Sequence, residues 1–154
     1  MLNAIADSTV LVSAFLRKEG VSAVLLRHAA GGVFALSLSQ EIVTETETVL
    51  LEREHIRRRY PYSNEDVAAF CQTLRGSFPL LTDLPPLTGI ARDPNDDMVL
   101  ATARTARATY LITRDLALIT PDLRRHHHGH ARGLHGDPTG TREIEPMSTH
   151  PYAG

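Results

Sequence analysis

The stretch Asn3-Ala4-Ile5-Ala6-Asp7, which runs on into the apolar Val10-Leu11-Val12 and Ala14-Phe15-Leu16, is the one on which the fold turns. A short apolar run that ends in an acid reads as a buried strand delivering a carboxylate at its carboxyl end. Thr109-Tyr110-Leu111-Ile112-Thr113 repeats the pattern and leads to Asp115, and Val33-Phe34-Ala35-Leu36-Ser37-Leu38-Ser39 suits a further strand. Between these strands the apolar period changes from two to about 3.6. Val21 to His28 has helical spacing closed by Gly31-Gly32, and a long helix is expected from about Gln40 to Arg59. Ser63 caps another, with Asp66 three residues on, Val67, Phe70, Cys71 and Leu74 along one face, and Gly76 at the close. A last helix begins at Asp93. Strands alternating with helices imply a parallel sheet covered on both faces, an α/β fold.

The 154 residues suit one domain, and neither repeats nor a linker interrupt it before about residue 120. Residues 121–154 differ in character. Arg124-Arg125-His126-His127-His128-Gly129-His130 and the glycines that follow read as a His-rich, Gly-rich flexible loop and tail. A short edge strand near 142–146, around Glu143-Ile144-Glu145-Pro146, is its one structured candidate. The clustered imidazoles can chelate Zn²⁺ or Ni²⁺, but without a second rigid ligand pair a solvated loop is the better reading. His28 and His55 read as helix-surface residues.

Composition removes several function classes. A hydrophobic content of 42% with 22% charged residues is that of a folded globular chain. No apolar run approaches a membrane span and no leader-like segment opens the chain, so a cytoplasmic location is expected. The single cysteine, Cys71, rules out an internal disulfide framework and reads as a buried thiol. A net charge of −2 gives no global positive field. Yet every basic residue except Lys18 is arginine, and Arg57-Arg58-Arg59 beside Tyr60 forms a local positive cluster with a ring. Arginine forks bind phosphate bidentately, which suits RNA; a helix end in solvent accounts for the same residues.

The stretch Arg92-Asp93-Pro94-Asn95-Asp96-Asp97-Met98-Val99-Leu100-Ala101-Thr102-Ala103 crowds three aspartates before an apolar run. Asp93 as N-cap with Pro94 at the first helical position explains part of this, since a helix start favours acids by roughly 0.3–1 kcal/mol each. It does not explain Asp7 and Asp115. In an open parallel sheet the carboxyl ends of the strands line the ligand crevice. There Asp7 and Asp115 can meet, and a first-turn Asp96 can join them. Convergent carboxylates with no nearby lysine call for a cation, and oxygen-only donors select Mg²⁺ or Mn²⁺. Such a site suits metal-assisted phosphodiester hydrolysis. The long helix adds a fourth acid, and here periodicity leaves a tie. Glu45 and Glu47 flank the apolar arc of Ile42, Val43, Val49 and Leu50 about equally.

Four stretches taken in order, Ile5 to Leu16, Ser37 to Leu50, Arg92 to Ala103 and Tyr110 to Leu118, resemble the four motifs of PIN domains. The nearest likeness is the branch similar to VapC ribonucleases, toxins of toxin–antitoxin pairs. The resemblance covers about residues 1–120 and implies a three-layer α/β/α fold around a central parallel sheet. It also implies Mg²⁺- or Mn²⁺-dependent endoribonuclease activity, an RNA substrate, a cognate antitoxin protein and homodimerisation. Its acids fall on Asp7, Glu45, Asp96 and Asp115 as catalytic and metal-holding residues, which breaks the tie with Glu47. Asp93 and Asp97 match variable positions and keep capping and solvent-facing readings.

On this reading Asp7, Asp96 and Asp115 hold one or two metal ions, and Glu45 joins a second metal or orients the attacking water. Thr9 and Thr113 support the carboxylates, while Arg57, Arg58, Arg59 and Arg114 steer the RNA backbone. Thr9 stands where the family usually has asparagine. Its hydroxyl can hydrogen-bond a carboxylate but lacks the amide's paired donors, so reduced or tuned activity is expected rather than its loss. Two rivals remain: a PIN-fold binding module with weak catalysis, and a Mg²⁺-dependent phosphatase using Asp7 as nucleophile. The phosphatase ranks last, because the second aspartate it needs two positions on is replaced by Thr9.

Overall fold

The structure, a computed structural model, describes residues 1–86, 94–114 and 141–143. Asp93, Asp115 and the His-rich segment lie outside the described residues. Along the chain run β1 (Asn3–Ala6), α1 (Ser8–Leu16), α2 (Val21–Ala30), β2 (Ala35–Ser39), α3 (Gln40–Glu52), α4 (Glu54–Arg59), α5 (Asn64–Ser77), β3 (Leu80–Leu81), α6 (Pro94–Ala106), β4 (Tyr110–Ile112) and β5 (Thr141–Glu143).

Strand alternation divides the core into two layers. Ala4, Ala6, Leu36, Leu38 and Ile112 pack towards α1, α2, α3 and α5. Ile5 and Leu111 point the other way and meet Val99 and Ala103 of α6. Each large aliphatic side chain buried in this way contributes about 1.5–3 kcal/mol relative to exposure. Helices therefore cover both faces of a sheet ordered β3-β2-β1-β4-β5. The pairs β1–β2, β1–β4 and β2–β3 are parallel, while β5 closes the edge antiparallel to β4. This is the three-layer α/β/α architecture expected from the sequence. The chain moves outward from β1 through β2 to β3, then crosses back to place β4 on β1's other side. The β1–β4 junction is thus the switch point where such sheets open a crevice at their carboxyl ends.

Three elements depart from expectation. The long helix is broken: Arg53 takes extended dihedrals, φ −77° and ψ 96°, so α3 ends at Glu52 and α4 starts afresh. Side chains take over where the helix stops. Arg57 Nη1 donates to the Leu50 and Leu51 carbonyls at 3.4 Å each, and the Tyr62 hydroxyl donates to the Leu50 carbonyl at 2.6 Å. Those donors satisfy carbonyls that a continuing helix would have bonded. The two-residue β3 carries too short an apolar run to show as a strand in the sequence. The edge strand lies at Thr141–Glu143, slightly before the Glu143–Pro146 stretch that suggested it.

Candidate active site

Asp7 sits directly after β1, with only 3% of its surface exposed, and caps α1. Its Oδ1 accepts from the Val10 backbone at 3.2 Å and from the Thr9 hydroxyl at 2.6 Å. Thr113, following β4, donates its hydroxyl to Oδ2. The bonding continues outward, since Thr9 Oγ1 accepts from the Arg114 backbone N–H at 3.0 Å. Asp7 N also donates to the Ile112 carbonyl at 3.2 Å. The two central parallel strands are therefore tied together at their carboxyl ends through one carboxylate. Thr9 and Thr113 thus each engage one oxygen of Asp7.

A second set of groups lies where α3 meets α6. Ser39 is fully buried, caps α3 by accepting from Ile42 N at 3.2 Å, and is approached by Thr102 Oγ1 at 2.9 Å. That contact fixes α6 against the start of α3. Beyond it a cleft of about 510 Å³ is lined by Glu41, Glu45, Thr48, Arg53 and Met98 among others. The geometry separates the two tied glutamates. Glu45 lines the cleft, whereas Glu47 points across to α5 and pairs with Arg75 at 3.4 Å. Thr46 between them is fully buried and returns its hydroxyl to the Ile42 carbonyl at 2.8 Å.

In the first turn of α6, Asp96 is partly exposed and Asp97 is 6% exposed. The solvent-facing reading of Asp97 is thus corrected. It turns inward to a smaller cleft shared with Glu41, Leu84, Pro85, Pro86 and Met98. Sequence reasoning also passed over Glu41 and Thr102. Periodicity would have placed Glu41 one turn before Glu45, on the same face, but nothing singled it out.

The arginine cluster is not one surface. Arg57 lies over the Tyr62 ring at 5.2 Å and donates to Asn64 at 2.8 Å, in addition to its α3 carbonyls. It is tied into the fold. Arg58 pairs with Glu54 at 2.9 Å on the open surface. Arg59 lies over Tyr60 at 5.8 Å. Arg114 is exposed next to the Asp7 cradle. Cys71 is buried, and burial followed by the nearby Glu47 pushes its thiol pKa up, as an inert core thiol should be.

The described groups offer carboxylate and hydroxyl oxygens with no thiol or imidazole among them, which is the donor chemistry of a hard divalent ion. Among the described residues, Glu41 Oε2, shielded from solvent on a half-buried side chain, accepts no hydrogen bond, a lone pair that a cation would engage. Among the described residues, no three acids, imidazoles or thiols alone make up a metal-binding group. The donor type fits; a full ligand set needs more than the described side chains.

Compared with known protein families, residues 3–117 match the PIN domain. The chain belongs to the PIN domain family. Members are commonly nucleases and typically use divalent metal ions. Among solved structures, this PIN domain is similar to the crystal structure of PAE2754 from Pyrobaculum aerophilum. The two are 15% identical, with a TM-score of 0.53 over 76% of this chain and 77% of that one, a likeness of fold. No curated protein matches it. Among the described residues of this PIN domain, no helix is long and apolar enough to cross a membrane.

Proposed function

We propose that this PIN domain is a Mg²⁺- or Mn²⁺-dependent endoribonuclease, the toxin of a toxin–antitoxin pair, with Asp7, Glu45, Asp96 and Asp115 as its working acids. The observation that carries the reading is the Asp7 cradle. A buried carboxylate sits at the switch point of a parallel sheet, with both oxygens oriented by hydroxyls and the β4 end beside it leading towards Asp115. A bound divalent ion would polarise the phosphodiester and lower the pKa of a water. Asp7, Asp96 and Asp115 are the residues that would hold it. Thr9 and Thr113 aim Asp7, each by donating a hydrogen bond to one of its oxygens. Glu45, on the cleft wall, would orient water or hold a second ion. An antitoxin that covers the cleft, and a homodimer, complete the proposal.

A second reading has one observation behind it. Thr9 and Thr113 already occupy both oxygens of Asp7, which leaves fewer lone pairs for a metal than a bare carboxylate would offer. A binding module with weak catalysis follows from that. Gel analysis of structured and unstructured RNA with Mg²⁺, Mn²⁺ or EDTA separates the two. The enzyme reading expects cutting that EDTA abolishes and that Asp96→Asn lowers at least about a hundredfold, the scale on which charge stabilisation at a reacting phosphate operates. No cutting by the wild-type chain with either metal favours the module.

A further inference from the structure

At the end of α1 opposite the Asp7 cradle, two guanidinium groups converge on one ring. Arg17 is the C-cap of α1 with its guanidinium beside the Tyr60 hydroxyl, while Arg59 lies over the same ring at 5.8 Å. Both arginines are exposed, and the ring is partly so. The other basic residues close by already have acidic or backbone partners. Arg58 pairs with Glu54, Lys18 faces Asp66, and Arg57 is bonded to the α3 carbonyls. Among the described residues, Arg17 and Arg59 are in no ion pair. Arg17, then Arg59, also holds the Tyr60 hydroxyl below its ordinary pKa, as a locally positive surface must.

We infer that Arg17, Arg59 and Tyr60 form a contact point for single-stranded RNA, set apart from the carboxylate cleft. The chemistry points to a nucleotide because it offers what a nucleotide needs: two guanidinium forks for phosphate, and an aromatic ring and guanidinium plane on which a base can stack. An acidic peptide would use the charges but not the ring. Position supports a strand more than a free nucleotide. Asp7 and Arg17 cap the two ends of α1, ten residues apart, about 15 Å along its axis. A short single strand spans that separation, whereas one nucleotide does not. The cluster read from sequence as Arg57-Arg58-Arg59 beside Tyr60 thereby becomes Arg17-Arg59-Tyr60, with Arg59 and Tyr60 in common.

The inference rests on the RNA reading of the site, so its test separates binding from cutting. Full-length Asp96→Asn protein in EDTA is titrated against a fluorescein-labelled unstructured RNA of about fifteen nucleotides at several salt concentrations. Arg17→Gln with Arg59→Gln is expected to weaken binding about tenfold or more and to lower the salt slope by about 1.4, some 0.7 for each phosphate no longer neutralised. Tyr60→Leu is expected to weaken binding about tenfold with no change in slope, and Arg104→Gln serves as a control for the loss of a surface arginine elsewhere. Thermal melts confirm that each variant is folded. The inference is overturned if the double variant binds as the parent does. It is equally overturned if Arg104→Gln has the same effect, or if polyglutamate competes as well as RNA. Should the wild type fail to cut RNA with any metal while these binding effects hold, the nuclease reading falls and the contact point stands.

Discussion

Asp7 is at once helix cap, strand tie and candidate ligand, and each role constrains the others. As an N-cap it accepts from Val10 N, a bond worth about 1 kcal/mol to the helix. As a strand tie it takes the Thr113 hydrogen, which joins β1 to β4 where the sheet switches direction. Removing that hydroxyl with little change of shape, Thr113→Val, takes one donor from a buried charge. It should therefore cost about 1–3 kcal/mol in urea unfolding. A loss below about 0.5 kcal/mol would show that the bond is not part of what holds Asp7. The importance of Asp7 was legible in the sequence, because an acid directly after an apolar run is costly unless something answers it. That two threonines answer it was only half legible: Thr9 is a neighbour in the chain, whereas Thr113 is reached through β4 pairing. The burial of Asp97 was not legible, since the cleft it faces is lined by Glu41 of α3 and by Leu84, Pro85 and Pro86.

Elements fail to match their sequence pattern where side chains compete with the backbone. The stretch from Gln40 to Arg59 has no proline or glycine, so periodicity alone continues the helix through Arg53. Arg57 and Tyr62 end it by donating to α3 carbonyls, an interaction that no local pattern announces. Arg57→Ala should accordingly lower stability by about 1–2 kcal/mol, through the absence of those hydrogen bonds and of the stacking on Tyr62. A variant as stable as wild type with impaired RNA binding would return Arg57 to the nucleic-acid surface. By contrast, the start of α5 was fully legible. Ser63 accepts from Asp66 N at 3.1 Å and Asp66 accepts from Ser63 N at 2.9 Å, a complete capping box. The bond from the Ser63 backbone, then that from its side chain, lowers the Asp66 pKa. A carboxyl with a folded pKa below its unfolded value stabilises above the unfolded value and ceases to as pH falls through the folded one. The stability gap between wild type and Asp66→Ala should thus be present at neutral pH and shrink as pH drops below about 4. A gap independent of pH would remove the charged cap from the account.

At the scale of the whole molecule, the parallel sheet follows from strands separated by helices, and the position of the acids follows from the sheet. The order β3-β2-β1-β4-β5 places the ends of β1 and β4 side by side, which is why residues more than a hundred apart in sequence share a hydrogen bond. Placing Glu45 rather than Glu47 on the cleft needed α5, whose Arg75 claims Glu47. The family likeness had named Glu45 on motif spacing alone; packing adds that Glu45 faces a cleft while Glu47 is held by Arg75. The central claim is that a hard divalent ion gathers acids delivered by β1, α6 and the segment after β4. Its most direct measurement is an anomalous difference map from a crystal of the full chain soaked in Mn²⁺. The account predicts a peak about 2.0–2.2 Å from carboxylate oxygens of Asp7, Asp96 and Asp115. A map with no peak there, or with Mn²⁺ only among the histidines from His126 to His130, would contradict it.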